Sequence, residues 1–284
     1  KHYGLTYAPE DEILITVGVS EGLSMALLAY TEPGDEVIIP DPAYVAYPAA
    51  VELAGGKPVF VPTYPEDDFK PTVAALEKVV TPKTKILVIG YPNNPTGTVM
   101  TREELLPIAA FAKKYNLIVM TDEIYCELMY GDTVFTSFAA LPDMRERTVV
   151  FNGFSKAWAM TGMRLGYICA PKEGLAPILK LHQYAIMCAN TQAQVGGITA
   201  LRECDEEVET MRQEYDRRRK VIYQGLREMG LPVFEPKGAF YIFPDIRVTG
   251  MTSAVFCEKL VQEEKVAVVP GSAFGENGEG FVRI

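Results

Sequence analysis

The chain has 284 residues, a formal net charge of −10, 48% hydrophobic residues and 23% charged residues. That is enough apolar chain for one large or two ordinary globular domains with a sizeable core. The acidic balance argues against nucleic acid or an anionic membrane surface as the main partner, because each needs a basic footprint, but it leaves room for a small basic pocket that holds an anionic ligand.

The five cysteines, Cys126, Cys169, Cys188, Cys204 and Cys257, are scattered and contain no C-x-x-C pair. This is neither a disulfide framework nor a zinc pattern, and it points to a reducing, cytoplasmic setting. His2 and His182 are the only histidines. They are too few for a histidine triad or a multi-histidine metal site, and both are expected at the surface or a terminus. No stretch has the length and apolarity of a membrane span, and no signal peptide is visible at Lys1. The chain opens without Met and closes on Phe281-Val282-Arg283-Ile284, which reads as strand interior, so both ends are expected to be cut from a longer protein.

Strand and helix signals alternate along the chain, which predicts an α/β layer fold on a largely parallel sheet. Residues 13–17 read as a short strand, and Ser20 is placed to cap a helix over 21–30 that Pro33-Gly34 ends. Strands follow at 37–40 and 58–61, around a helix over 44–53. A helix over 72–79 precedes an apolar strand at 85–90. Thr101 with Glu104 forms a capping box that opens a helix to residue 115. Further strands are expected at 117–121, 148–151 and 165–170. From about Asn190 a charged helical stretch runs to Met229, and its Arg217-Arg218-Arg219-Lys220 run reads as a solvated helix face. A strand at 239–243, a helix at 252–264 and a strand at 266–269 suggest a second, smaller α/β unit. The expected division is 1–200 for the large domain and 201–284 for a small domain that begins with a long connecting helix.

Ligands of parallel α/β sheets bind at the carboxyl ends of the strands. Those ends carry Gly18-Val19-Ser20, Tyr91-Pro92-Asn93-Asn94-Pro95-Thr96-Gly97, Asp122-Glu123-Ile124-Tyr125 and Asn152-Gly153-Phe154-Ser155-Lys156, with Arg164 eight residues beyond the lysine. Each has an ordinary reading. Gly18-Val19-Ser20 can be a plain strand-to-helix turn, although its free N–H groups suit a phosphate. The Asn-Pro-Gly cluster can be a turn, Asp122 a helix cap and Tyr125 core packing. Lys156 and Arg164 can be surface charges.

Taken together and in order, the stretches 16–20, 41–48, 92–97, 122–125, 155–166 and 281–284 resemble the class I/II aminotransferases of pyridoxal-5′-phosphate (PLP) fold type I. The segment Ser155-Lys156-Ala157-Trp158-Ala159-Met160-Thr161-Gly162-Met163-Arg164-Leu165-Gly166 is the most specific of them. The resemblance implies a three-layer α/β/α fold with a mainly parallel sheet and a smaller C-terminal α/β domain. It also implies PLP as cofactor and a ping-pong exchange of an amino group between an L-amino acid and a 2-oxo acid. Lys156 would form the Schiff base with PLP and later move the substrate α-proton. A partly desolvated site beside other cations would lower its pKa from the usual 10.4 or so. Asp122 would pair with the pyridinium nitrogen. Asn94 and Tyr125 would bond the phenolic oxygen, and Tyr44 would stack on the ring. Gly18, Val19, Ser20, Ser155 and Arg164 would hold the phosphate. Arg283 would grip the substrate α-carboxylate beside Asn94.

Two departures stand out. Where the family often has Ser-x-Ser-Lys, this chain has Gly153-Phe154-Ser155-Lys156, so one phosphate hydroxyl is absent. Cys126, beside Tyr125, is expected to point away from the site and pack. Two alternatives stay open on the same residues. One is a carbon–sulfur lyase or other elimination enzyme, which would share every cofactor contact. The other is a binding-only domain of a transcription regulator, for which the chain lacks a basic DNA-binding module. The resemblance also implies a homodimer, and the many aromatics hint at aromatic or broad substrates.

Overall fold

The computed structural model describes residues 3–284, so His2 lies outside the described residues. Strands β1 (Ile13–Thr16), β2 (Glu36–Asp41), β3 (Lys57–Pro62), β4 (Thr84–Gly90), β5 (Ile118–Asp122), β6 (Thr148–Gly153) and β7 (Gly166–Cys169) form one seven-stranded sheet among these residues, in the order β1-β7-β6-β5-β4-β2-β3. Only β7 runs against its neighbours.

Side-chain alternation along the strands sorts the core into two layers. Val37, Ile39, Ile86, Val88, Met120 and Phe151 pack with residues of helices α1 (Gly18–Tyr30), α2 (Ala46–Leu53) and α5 (Lys172–Ala185). Ile38, Leu87, Ile89 and Val119 pack on the opposite face with α3 (Val73–Val79) and α4 (Arg102–Lys114). Both faces of the sheet are therefore covered, which is why its strands read as continuous apolar runs. Each fully buried Ile or Leu of this sandwich contributes about 1.5–3 kcal/mol. The expected α/β/α architecture is what these layers form.

The register brings the functional ends together. Gly90 pairs with Asp122 across β4 and β5. Thr16 of β1 and Gly153 of β6 both pair with Gly166, the first residue of the reversed strand β7. One sheet edge thus presents the ends of β1, β4, β5 and β6 and the start of β7.

Several elements differ from the sequence expectation. Helix α1 begins at Gly18, with Val17 as N-cap and no side-chain cap, so Ser20 lies in the first turn and is not the cap. Helix α5 was masked in the sequence by Pro171, Gly174 and Pro177, but Pro171 sits at its N-cap, and a proline costs little near a helix start because the first N–H groups have no partner there. The stretch from 190 to 229 is two helices, α6 (Thr191–Glu203) and α7 (Asp205–Glu228), broken at Cys204. Residues 239–243 are not a strand. The backbone there pairs only at single positions: Ala239 N donates to the Leu128 carbonyl at 2.9 Å, and Ile242 exchanges bonds with Ile284 at 3.1 and 3.0 Å. Isolated bridges flank it, Met129 with Gly238 and Val233 with Pro244, and Pro244 offers no N–H to continue a ladder. Beyond α8 (Ser253–Glu264), the last pairing is the two-residue ladder of β8 (Val269–Pro270) with β9 (Val282–Arg283).

In the α7 charge run, Arg217 and Arg218 share Glu214 at 2.7 Å, and Lys220 pairs with Asp216 at 2.6 Å, as expected of a solvated face. Arg219 is the exception: its side chain is mostly buried and it bonds Asp216 at 2.8 Å and Glu235 at 2.7 Å. No helix of the described residues is long and apolar enough to cross a membrane.

The capping box on α4 is present in full, with Thr101 Oγ1 accepting from Glu104 N and Glu104 Oε2 accepting from Thr101 N. Thr101→Ala should cost about 1 kcal/mol of stability. The check is urea denaturation, with a lower midpoint and an unchanged slope.

Candidate active site

A cavity of about 350 Å³ opens at this sheet edge, lined among others by Val19, Ser20, Tyr44, Asn94, Asp122, Tyr125, Ser155, Lys156, Arg164 and Arg283. Of the residues picked out in the sequence, only Gly18 is absent from its wall. Gly18 stands immediately behind, at φ +74, where an added Cβ would lie 2.7 Å from Arg164 Nη2. Glycine is favoured there for the backbone angle, and its lack of a Cβ leaves space for the guanidinium.

Asp122, the last residue of β5, is 7% exposed and lines the cavity. Burial pushes its carboxyl up to about 6, while a hydrogen bond from Tyr47, the Ile124 N–H and the charge of Lys156 pull the other way. Tyr47 donates to Asp122 Oδ2 at 2.9 Å. It can do so because Gly90 lies beneath its ring, where a Cβ would come within 2.5 Å of the tyrosine oxygen. The sequence pattern singled out Tyr44 and missed Tyr47. The Tyr-x-x-Tyr spacing that puts both rings at one helix start was the available signal, and the rings meet edge-on at 5.5 Å.

Lys156 follows β6 and is half-buried. Burial lowers its pKa first, and Arg283 and Arg164 lower it further, against the opposing charge of Asp122. Its Nζ lies 5.6 Å from the Tyr125 ring centre and 5.5 Å from that of Phe240. The sequence expectation of a desolvated lysine beside other cations matches this arrangement.

Two arginines line the cavity, and neither forms an ion pair among the described residues. Arg164 holds a left-handed backbone at φ +50 and donates to the Thr161 carbonyl at 2.8 Å. Arg283 donates to Asn94 Oδ1 at 2.8 Å. Its guanidinium lies 4.5 Å from the Tyr241 ring centre and 4.7 Å from that of Phe274. Such a clamp fixes a cation without neutralising it. Tyr241 also shares a 2.7 Å hydrogen bond with the Tyr125 hydroxyl. Burial raises the Tyr125 hydroxyl well above the usual tyrosine range, followed by the neighbouring Tyr241.

The missing hydroxyl of the Ser-x-Ser-Lys pattern has a steric reason. A Cβ at Gly153 would fall 2.8 Å from Gly166 Cα and 2.9 Å from the Leu165 carbonyl, so no side chain fits there. Thr161 lines the same cavity and supplies a hydroxyl-bearing residue that the sequence pattern did not single out. Cys126 faces away, buried, and accepts from Asn152 Nδ2 at 3.1 Å. Glu123 also points away and accepts from Ser137 Oγ at 2.8 Å and Phe138 N at 3.1 Å. His182, expected at the surface, is buried to 3% exposure between α5 and α1 because Glu21 offers it a partner at 3.1 Å.

The donor set fits a phosphorylated pyridine aldehyde. The uncapped helix start, the hydroxyl residues Ser20, Ser155 and Thr161, and Arg164, which has no acidic partner among the described residues, suit a phosphate dianion. The buried carboxylate of Asp122 suits a protonated ring nitrogen. Lys156, with its lowered pKa, lines the same cavity. Comparison with known proteins agrees. The family of class I and II aminotransferases matches residues 1–284. An aromatic-amino-acid aminotransferase 2 of Thermococcus litoralis is 48% identical over 286 residues, covering 100% of this chain and 74% of its own length. An aspartate aminotransferase of Pyrococcus abyssi is 51% identical over 278 residues, covering 97% and 72% respectively. The crystal structure of an aromatic aminotransferase from Pyrococcus horikoshii OT3 superposes with a TM-score of 0.97 at 49% identity, over 99% of this chain and 76% of that one.

The chain belongs to the class I and II aminotransferase family. It is a PLP-dependent aminotransferase, with amino acids and 2-oxo acids as substrates.

A pH prediction follows from the raised carboxyl of Asp122. Its ionisation is harder in the folded than in the unfolded chain. The neutral form therefore supports folding below pH 3.8, and that support is lost as pH rises through about 6. Asp122→Asn should stabilise the cofactor-free protein above that range by on the order of 3 kcal/mol, at about 1.4 kcal/mol per pKa unit. Thermal melts of wild type and variant at acid and neutral pH check this: the two curves should converge at low pH.

Proposed function

We propose that Lys156, Asp122 and Tyr125 carry the transamination chemistry, with Gly18, Val19, Ser20, Tyr44, Asn94, Ser155 and Arg164 holding the cofactor and Asn94 and Arg283 holding the substrate. The observation that carries this is a single cavity joining Asp122, Lys156, Arg164 and Arg283. When bound, PLP supplies an electron sink for the charge that develops at the substrate α-carbon. Asp122 keeps a proton on the ring nitrogen. Arg283 fixes the substrate carboxylate and so orients the α-hydrogen toward Lys156 Nζ. Lys156 then takes the proton from the α-carbon and returns it on the cofactor side, a task its lowered pKa favours. Tyr125 and Asn94 hold the ring oxygen, and Tyr44 excludes water from one face.

The substrate range proposed is aromatic or broad L-amino acids. Among the described residues that line the cavity, the cations are Lys156, Arg164 and Arg283. All three have roles, so none is left for a distal carboxylate. Tyr44, Tyr125 and Tyr241 surround the remaining space. The names of the relatives above point both ways, to aromatic amino acids and to aspartate.

We further propose a cytoplasmic homodimer, divided into a cofactor-binding unit at 1–200 and a smaller unit at 201–284. The free state of all five cysteines supports the reducing compartment. Exposed Tyr184, Ile186 and Met187 at the end of α5, with Val195, Ile198 and Leu201 on α6, support a second copy covering them. Sedimentation at micromolar concentration should give twice the chain mass.

Lys156→Ala should lower the turnover by at least about a hundredfold, as expected for loss of a positioned base. Borohydride reduction followed by peptide mass analysis should show a pyridoxyl adduct on Lys156 in wild type and none in the variant. Arg283→Lys should lower kcat/KM for all amino donors to a similar degree, by about tenfold or more, because the fork geometry is lost for a group common to every donor. A donor panel against 2-oxoglutarate and pyruvate is the measurement. Release of ammonia and pyruvate from cystathionine without amino exchange would instead point to the lyase alternative.

A further inference from the structure

Helix α1 presents its amino end to the cavity, yet it carries a carboxylate in its first turn, Glu21. An acidic side chain there is ordinarily drawn to the helix N–H groups. Those are the same donors that a phosphate would need at Gly18, Val19 and Ser20. In this chain Glu21 is turned away. Its Oε2 accepts from Val17 N at 3.1 Å, one residue before the helix, and its Oε1 lies 3.1 Å from His182 Nδ1. The histidine comes from α5, which packs on α1, and the two side chains are 3% and 9% exposed. Neither residue lines the cavity. The helix has no side-chain cap.

We propose that Glu21 and His182 are a positioning pair that keeps the amino end of α1 open for the cofactor phosphate. His182 holds one oxygen of Glu21 from behind, and Val17 N occupies the other. The carboxylate thereby fixes the turn that leads into Gly18 without competing for the N–H groups of the next three residues. The pair acts on the phosphate end alone. The ring end, with Asp122 and Lys156, is on other strands and is unaffected.

This inference rests on the phosphate site proposed above, and the experiment separates the two. Binding of PLP and of pyridoxal, which lacks the phosphate, is measured by absorbance and by borohydride trapping on Lys156. Wild type should prefer PLP strongly; equal binding of the two would overturn the phosphate site itself and the pair with it. His182→Ala should weaken PLP by about five- to tenfold, the scale of a charge at a helix end. Pyridoxal binding should stay as in wild type. The double variant His182→Ala, Glu21→Gln should recover PLP binding, because a neutral amide still accepts from Val17 N but does not repel a phosphate. His182→Gln, which keeps a polar group of similar size, guards against a variant that fails to fold. Equal weakening of PLP and pyridoxal, no weakening of either, or failure of the Glu21→Gln rescue would each overturn the pair's role.

Discussion

Removing a carboxylate from water without a charge against it is costly, and Asp122 is held under that cost at the end of a central strand. The structure around it answers the constraint. Tyr47 supplies the nearest donor, and Gly90 is reduced to hydrogen so that Tyr47 can reach. Lys156 stands near enough to favour the ionised form but not in contact, so its own pKa remains lowered by burial. A cationic ring nitrogen would relieve the penalty on Asp122 and leave the lysine free to act on carbon. The same buried charge that weakens the cofactor-free fold therefore makes the fold receptive to its cofactor.

The two arginines of the cavity work by withheld partners. Arg164 and Arg283 are given no acid among the described residues, only a carbonyl and an amide oxygen. Arg283 is also pressed between Tyr241 and Phe274. Its segment is tied back to the sheet by Asp41, whose Oδ2 accepts from Asn277 N at 3.1 Å and from Asn277 Nδ2 at 2.8 Å. The arginine that would read the carboxylate is thus placed by contacts to two different parts of the chain, the end of β2 and the loop at Asn94. A cation kept positioned and unpaired binds an anion without first breaking an ion pair.

Much of this was readable in the amino-acid order. The strands with both faces buried announced themselves as apolar runs, and Thr101 with Glu104 marked the start of α4. Lys156, Asp122 and Arg164 stood at strand ends, where ligands of such sheets bind. What escaped has physical reasons. Helix α5 was hidden by Pro171, which a helix start tolerates, and by Pro177, which lies inside it. The 239–243 segment reads as a strand because its residues are apolar, but Phe243 packs with Phe69, Phe274 and Phe281, and Ala239, Phe240 and Tyr241 pack with Tyr125 and Leu128. Tyr47 and Tyr241 act through partners 75 and 116 residues away, which no local pattern encodes. His182 reads as a surface residue because a lone histidine has no visible partner until α5 is laid on α1.

Strand β7 has a mechanical consequence. It is the reversed strand of the sheet, so the chain leaves β6, passes Lys156 and Arg164, and re-enters beside the strand it left. The lysine proposed to hold the aldehyde carbon and the arginine proposed to hold the phosphate therefore belong to one short excursion, closed at its neck where Gly153 pairs with Gly166. Any rocking of that excursion would carry both side chains together. A ring held by both would tilt with them, and the sheet beneath need not deform.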